Sequence, residues 1–209
     1  MDRFRELLAG QRIIAVLVID EATDAVPLAE TLLEGGVGAM ELTLRTPAAL
    51  EAMSVIRERV PEILVGAGTV LTREQVRRVG DAGAAFAVAP GLNRDVMEEA
   101  ASAELPFAPG VMTPSEIEAA VELGCRTLKF FPAEPCGGLK YLKSAAGPYK
   151  HLDLQFIPLG GLNQDNLPGW LESPLICAVG GSWIAPRDLI REHRWEEIGK
   201  RAAAAAAVA

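Results

Sequence analysis

The stretch Ala39 to Val60, AMELTLRTPAALEAMSVIRERV, holds one complete unit of the pattern that the chain repeats. Its first seven residues read as a strand, because Met40, Leu42 and Leu44 alternate with Glu41, Thr43 and Arg45 and so make one apolar and one polar face. Thr46-Pro47 then offers a helix cap followed by a residue suited to a first helical turn, and AALEAMSVIRERV continues at helical spacing. A strand, a Gly- or Pro-marked turn and a helix recur about eight times, which implies parallel strands joined by crossover helices.

Working outward from that unit, the strands read as Arg12–Ile19, Ala39–Arg45, Leu64–Val70, Ala85–Pro90, Pro106–Gly110, Arg126–Pro132, Gln155–Gly161 and Ile176–Ser182. Further helix starts are marked by Thr72, by Asn93 and by Thr113-Pro114-Ser115-Glu116, and helix ends by Gly35, Gly83 and Gly124. So many units within 209 residues point to an α/β fold closed as a (β/α)8 TIM barrel, a single domain over residues 1–209. An open doubly wound sheet more often stops at about five or six strands. A short helix, Asp2 to Ala9, precedes the first strand with Phe4, Leu7 and Leu8 on one side, placed to cover an end of the core. The terminal AAAAAAVA extends the last helix.

Half of the residues are hydrophobic and the mean hydropathy is +0.21, enough for one substantial core. No apolar run approaches the roughly 18 residues of a membrane helix, and the charged opening MDRFRELLAGQR lacks the apolar centre of a signal peptide, so the expected location is cytoplasmic. Cys125, Cys136 and Cys177 are odd in number and show no C-x-x-C spacing, which argues against a disulfide framework or a thiolate zinc site. A formal net charge of -8 argues against nucleic acid as a partner. It leaves room for a small anionic substrate, provided that positive groups gather in one pocket.

Barrel strands are covered on both faces and should be apolar throughout. The second strand is not, since Glu41, Thr43 and Arg45 face away from the helices, at the strand end where barrel active sites are built. The sixth strand repeats this in TLKFFPAE, Thr127 to Glu134: Leu128 and Phe130 face the helices, while Thr127, Lys129 and Phe131 face inward. Desolvation of an ammonium favours its neutral amine, the form that attacks a carbonyl to make a Schiff base. Two plainer readings stand beside this one, a lysine that snorkels to water and an ion-pair cluster with a purely structural role. Gly66-Ala-Gly-Thr69 allows close backbone approach and adds a hydroxyl. Gly160-Gly161 and Gly180-Gly181-Ser182 end consecutive strands, where free N–H groups can hold a phosphate. His151 and His193 lie in segments that read as loop or helix start, so no metal site is expected.

An amine, a carboxylate, an arginine and a phosphate cradle suit chemistry on a phosphorylated oxo acid. Taken together, Glu41-Leu-Thr-Leu-Arg45-Thr, Gly66-Ala-Gly-Thr69-Val, Ala89-Pro90-Gly91, Pro109-Gly110, Thr113-Pro-Ser-Glu, Lys129-Phe-Phe-Pro-Ala-Glu134, Gly137-Gly-Leu-Lys140, Ala146-Gly-Pro148 and Gly180-Gly-Ser182-Trp183 resemble the 2-keto-3-deoxy-6-phosphogluconate (KDPG) and 4-hydroxy-2-oxoglutarate (KHG) aldolase family, nearly end to end. The resemblance implies a metal-independent class I lyase of the Entner–Doudoroff pathway, without cofactor, that splits the phosphorylated keto acid into pyruvate and glyceraldehyde 3-phosphate. It also implies activity on KHG and a homotrimer. On the matching positions Lys129 would form the Schiff base and Glu41 would be the general acid/base. Arg45 and Thr69 would bind the pyruvate carboxylate, Pro90 and Phe131 would line the pocket, and Gly160, Gly161, Gly181 and Ser182 would receive the phosphate. One position departs from the family: Leu159 stands where a threonine usually precedes the Gly-Gly of strand seven, as in aldolases acting on the galactonate epimer. Two other readings of the same residues are a phosphosugar isomerase using Glu41 as base, and a non-catalytic binding module for phosphorylated acids.

Overall fold

The computed structural model describes residues 3–8 and 10–209. Its strands are β1 (Ile13–Leu17), β2 (Ala39–Thr43), β3 (Leu64–Gly68), β4 (Phe86–Val88), β5 (Phe107–Ala108), β6 (Gly110–Val111), β7 (Thr127–Phe130), β8 (Gln155–Pro158) and β9 (Val179–Gly181). The helices are α1 (Arg3–Leu8), α2 (Ala25–Glu34), α3 (Ala49–Arg59), α4 (Arg73–Asp81), α5 (Arg94–Ser102), α6 (Pro114–Glu122), α7 (Gly138–Ala146), α8 (Leu167–Leu171), α9 (Arg187–Arg191) and α10 (Trp195–Ala206). The ends of the expected first helix, Asp2 and Ala9, lie outside the described residues.

Every strand pairing is parallel, in the order β5-β4-β3-β2-β1-β9 for one ladder and β6-β7-β8 for the other. The fold is thus α/β with a curled parallel sheet in two ladders, where the sequence suggested one closed ring of eight. The expected fifth strand is divided at Pro109, which has no N–H to donate, into β5 in one ladder and β6 in the other. The expected eighth strand shortens to β9, preceded by a single parallel bridge between Phe156 and Ile176.

The two faces of the strands pack differently. Met40, Leu42, Leu128 and Phe130 join the larger apolar cluster beneath the helices, as their alternation requires. A second cluster gathers Ile14, Ala39, Phe86, Val88, Ala108, Ile157, Leu159 and Ala178 from the opposite face, with Phe4 and Leu8 of α1 packed against it. The Phe4 ring stands edge-on to Phe86, centroids 5.1 Å apart. α1 lies by the strand starts, since Arg3 and Phe4 border a cavity of about 610 Å³ together with Phe107 and Thr127.

Helix caps follow the sequence closely at α4, α5 and α6. Thr72 with Gln75 and Thr113 with Glu116 form reciprocal capping boxes, and Asn93 accepts from Asp95 N at 3.0 Å. The expected cap at Thr46 does not form. Its hydroxyl donates to Ile19 O at 2.5 Å, and α3 begins later, after Ala48. Among the described residues, no helix is long and apolar enough to cross a membrane.

Candidate active site

β2 pairs with β1 and β3, and β7 with β6 and β8, so a contact between β2 and β7 must cross the space that the strands enclose. That contact exists. Lys129 Nζ on β7 donates to Glu41 Oε1 on β2 at 3.3 Å, and the two residues are 5% and 2% exposed. An ion pair this deep is costly to bury, and removing one partner leaves the other charge unmatched. Lys129 Nζ also lies 5.6 Å from the centre of the Phe131 ring, within range of cation–π attraction.

Room for the carboxylate comes from Gly68. A Cβ at that position would run into the Glu41 carboxylate, so a glycine facing Thr43 in register is what lets Glu41 turn toward β7. Thr43 is buried beside it and satisfied, donating to Leu17 O at 3.0 Å.

The other expected residues ring the strand ends. Thr69 directly follows β3, half-buried, with φ +60°, a left-handed conformation that a β-branched residue adopts only under strain. Gly160 packs against Pro132 and the Phe131 ring, as a Cβ there would meet Pro132 Cα at 3.2 Å and Phe131 Cε2 at 3.3 Å. Gly161 is exposed and lies over Glu134. Pro90 is exposed, its backbone against Gly110, the register partner of Lys129. Gly181 is buried at the end of β9, with the Trp183 ring against it, and Ser182 beside it is exposed. Leu159 is buried on the inner face with its side chain on Gly180, which brings the two glycine turns together.

Arg45 departs from the reading of the sequence. Alternation along Ala39–Arg45 turned it inward and buried it, but the ladder ends at Thr43 and the chain turns, leaving Arg45 exposed. The side chain stands at the mouth, not in the wall. His151 and His193 are both exposed, and His193 Nε2 lies 3.0 Å from Asp24 Oδ1.

Contacts that pattern reading did not anticipate hold the loops. Trp170 Nε1 donates to Glu134 Oε1 at 2.7 Å, steadying the turn after β7, and Ala133 N and Glu134 N donate to Leu159 O and Gly160 O at 2.7 and 3.0 Å. These partners are far apart in sequence, so only the fold reveals them.

Strand ends that converge on a buried lysine–carboxylate pair define a class of protein, parallel α/β with an enclosed site that holds both charges in contact. Residues 4–201 match the family model described as "Aldolase: KDPG and KHG aldolase". The chain belongs to that family. It is 42% identical over 200 residues to a 2-dehydro-3-deoxy-phosphogluconate aldolase of Haemophilus influenzae, covering 96% of this chain and 92% of the relative. A KHG/KDPG aldolase of Escherichia coli K12 is 39% identical over 196 residues, 94% of this chain and 91% of that one. A crystal structure of a KDPG aldolase from Legionella pneumophila, with pyruvate captured as a covalent carbinolamine intermediate, superposes with a TM-score of 0.91 at 39% identity, covering 97% of each chain.

Proposed function

We propose that this protein is a class I aldolase that cleaves 2-keto-3-deoxy-6-phosphogluconate to pyruvate and glyceraldehyde 3-phosphate, and that also accepts 4-hydroxy-2-oxoglutarate. The observation that carries this reading is the buried contact of Lys129 with Glu41, 3.3 Å apart across the enclosed face. Lys129 passes its proton to Glu41 and the neutral amine adds to the ketone; Glu41 then protonates the carbinolamine hydroxyl, which leaves as water to give an iminium. Glu41 takes the proton of the neighbouring hydroxyl as the carbon–carbon bond breaks and the aldehyde leaves. The bond's electrons enter the iminium to give an enamine, Glu41 returns the proton to carbon, and water releases pyruvate and the free lysine. Arg45 and Thr69 bind the keto acid's carboxylate, Pro90 and Phe131 line the pocket, and Gly160, Gly161, Gly181 and Ser182 take the phosphate.

Incubation with pyruvate and borohydride is expected to add a reduced pyruvyl mass at Lys129, and an unmodified lysine overturns the reading. Lys129→Ala should abolish turnover. Glu41→Gln should keep the trapping but slow exchange of the pyruvate methyl protons by roughly 10². An isomerase would turn over without trapping, and a binding module would be stabilised by ligand without releasing pyruvate.

Leu159 supports a second reading of the substrate. Buried against Gly180, it puts an apolar side chain beside the phosphate turns where the family usually has a hydroxyl. Pyruvate release measured with gluconate- and galactonate-derived donors side by side decides which epimer is preferred.

We take residues 1–209 as one domain and the two ladders as a single (β/α)8 barrel. Support comes from the unbroken chain between β5 and β6, the Phe156–Ile176 bridge, and the shared inner cluster. We also place the protein in the cytoplasm as a homotrimer, in keeping with its family resemblance.

A further inference from the structure

The loop after β9, which carries Ser182, is gripped by two arginines that the proposed chemistry does not use. Arg187, the first residue of α9, donates from Nε to Asp20 Oδ2 at 2.9 Å and from Nη2 to Asp20 Oδ1 at 2.5 Å. Asp20 belongs to the loop after β1, the strand paired with β9, so this bridge ties the end of one loop to the loop beside it on the rim. Arg201 of α10 donates to Trp183 O at 3.0 Å and is itself anchored to Glu197 at 2.6 Å. The loop is therefore pinned in its middle and at its end.

A guanidinium and a carboxylate meeting through paired bonds fix direction as well as distance. An exposed pair of this kind adds little to global stability, so what it contributes is local geometry. Arg187 also has two N–H groups committed to Asp20, which leaves it poorly placed to seize a ligand directly.

We propose that Asp20 and Arg187 are positioning residues for the substrate phosphate, their bridge holding the loop after β9 so that Ser182 and its backbone N–H meet the phosphoryl oxygens. The proposal rests on reading that loop as the phosphate site. Arg201 assists by fixing Trp183, whose ring lies against Gly181.

Steady-state kinetics of the whole protein test it, with the phosphorylated six-carbon keto acid and with phosphate-free 4-hydroxy-2-oxoglutarate as donors. Asp20→Asn and Arg187→Ala should each raise KM for the phosphorylated donor roughly tenfold, the scale of one lost hydrogen bond to a charged group. Values of kcat, and both constants for the phosphate-free donor, should hold. If Arg187→Ala raises KM while Asp20→Asn does not, the arginine binds phosphate directly and the positioning role is overturned. Equal losses on both donors overturn it as well, by showing a merely structural effect. Ser182→Asp checks the underlying reading, because a carboxylate there should repel the phosphorylated donor. If it raises KM and Asp20→Asn does not, the bridge alone is misassigned; if Ser182→Asp changes nothing, the phosphate site lies elsewhere and both readings fall.

Discussion

A methyl group on Gly68 would occupy the space that the Glu41 carboxylate fills, so this one hydrogen decides whether the carboxylate proposed as acid/base can meet the Lys129 amine. Gly68→Ala should push the carboxylate away from Lys129 and cost about 1–3 kcal/mol of stability through overpacking. Borohydride trapping should persist, while methyl-proton exchange, followed by deuterium uptake into pyruvate, should fall toward the level of Glu41→Gln. Normal exchange would show that Glu41 is not the proton carrier. Single residues were legible in the sequence where alternation ran inside a ladder, as it does at Glu41 and Lys129. Past the ladder it misled: Arg45 is exposed because the chain has already turned, and Thr69 sits at φ +60°, which no strand pattern encodes.

At the scale of elements, the legible features were those closed within a few residues. Thr113 and Glu116 are three apart, and their capping box forms as read, with Glu116 Oε2 accepting from Thr113 N at 2.8 Å and from Met112 N at 2.9 Å. Thr46 has the same chemistry but finds Ile19 O, in the loop after β1, and so does not cap α3. Asp20 and Arg187 lie 167 residues apart, beyond any local signal. Glu116→Ala should therefore cost about 1 kcal/mol at neutral pH, or about 2–4 °C in melting temperature for a chain of this size. Burial pushes the Glu116 carboxyl up, but the N–H groups of Thr113 and Met112 outweigh it and hold it below the usual range. A carboxyl lowered by folding contributes fully above its ordinary range and loses that contribution as the pH falls through the lowered value. Melting curves of wild type and variant should accordingly differ most near neutral pH and converge in acid, and a constant gap would assign the effect to lost packing.

Across the whole molecule the enclosed face changes character from one end to the other. Its floor is aromatic, where Phe4 of α1 meets Phe86 and Phe86 in turn fills the space left open by Gly66. Its mouth is charged, with Glu41, Lys129 and the loops that surround them. Parallel α/β architecture assigns stability to the strand starts and chemistry to the strand ends, so the two should be separable by mutation. Phe4→Ala tests this directly. Phe4 is 3% exposed and packs in the inner cluster, so truncation should cost about 3–5 kcal/mol. For a protein of this length that is a fall in melting temperature on the order of 10 °C. The lysine and its carboxylate sit at the other end and keep their own contacts, so kcat/KM, assayed well below the new melting temperature, should stay within about twofold of wild type, less than 0.5 kcal/mol in the barrier. A loss of activity out of proportion to the fraction unfolded would mean that the floor transmits strain to the mouth, and that this end of the fold also positions the amine.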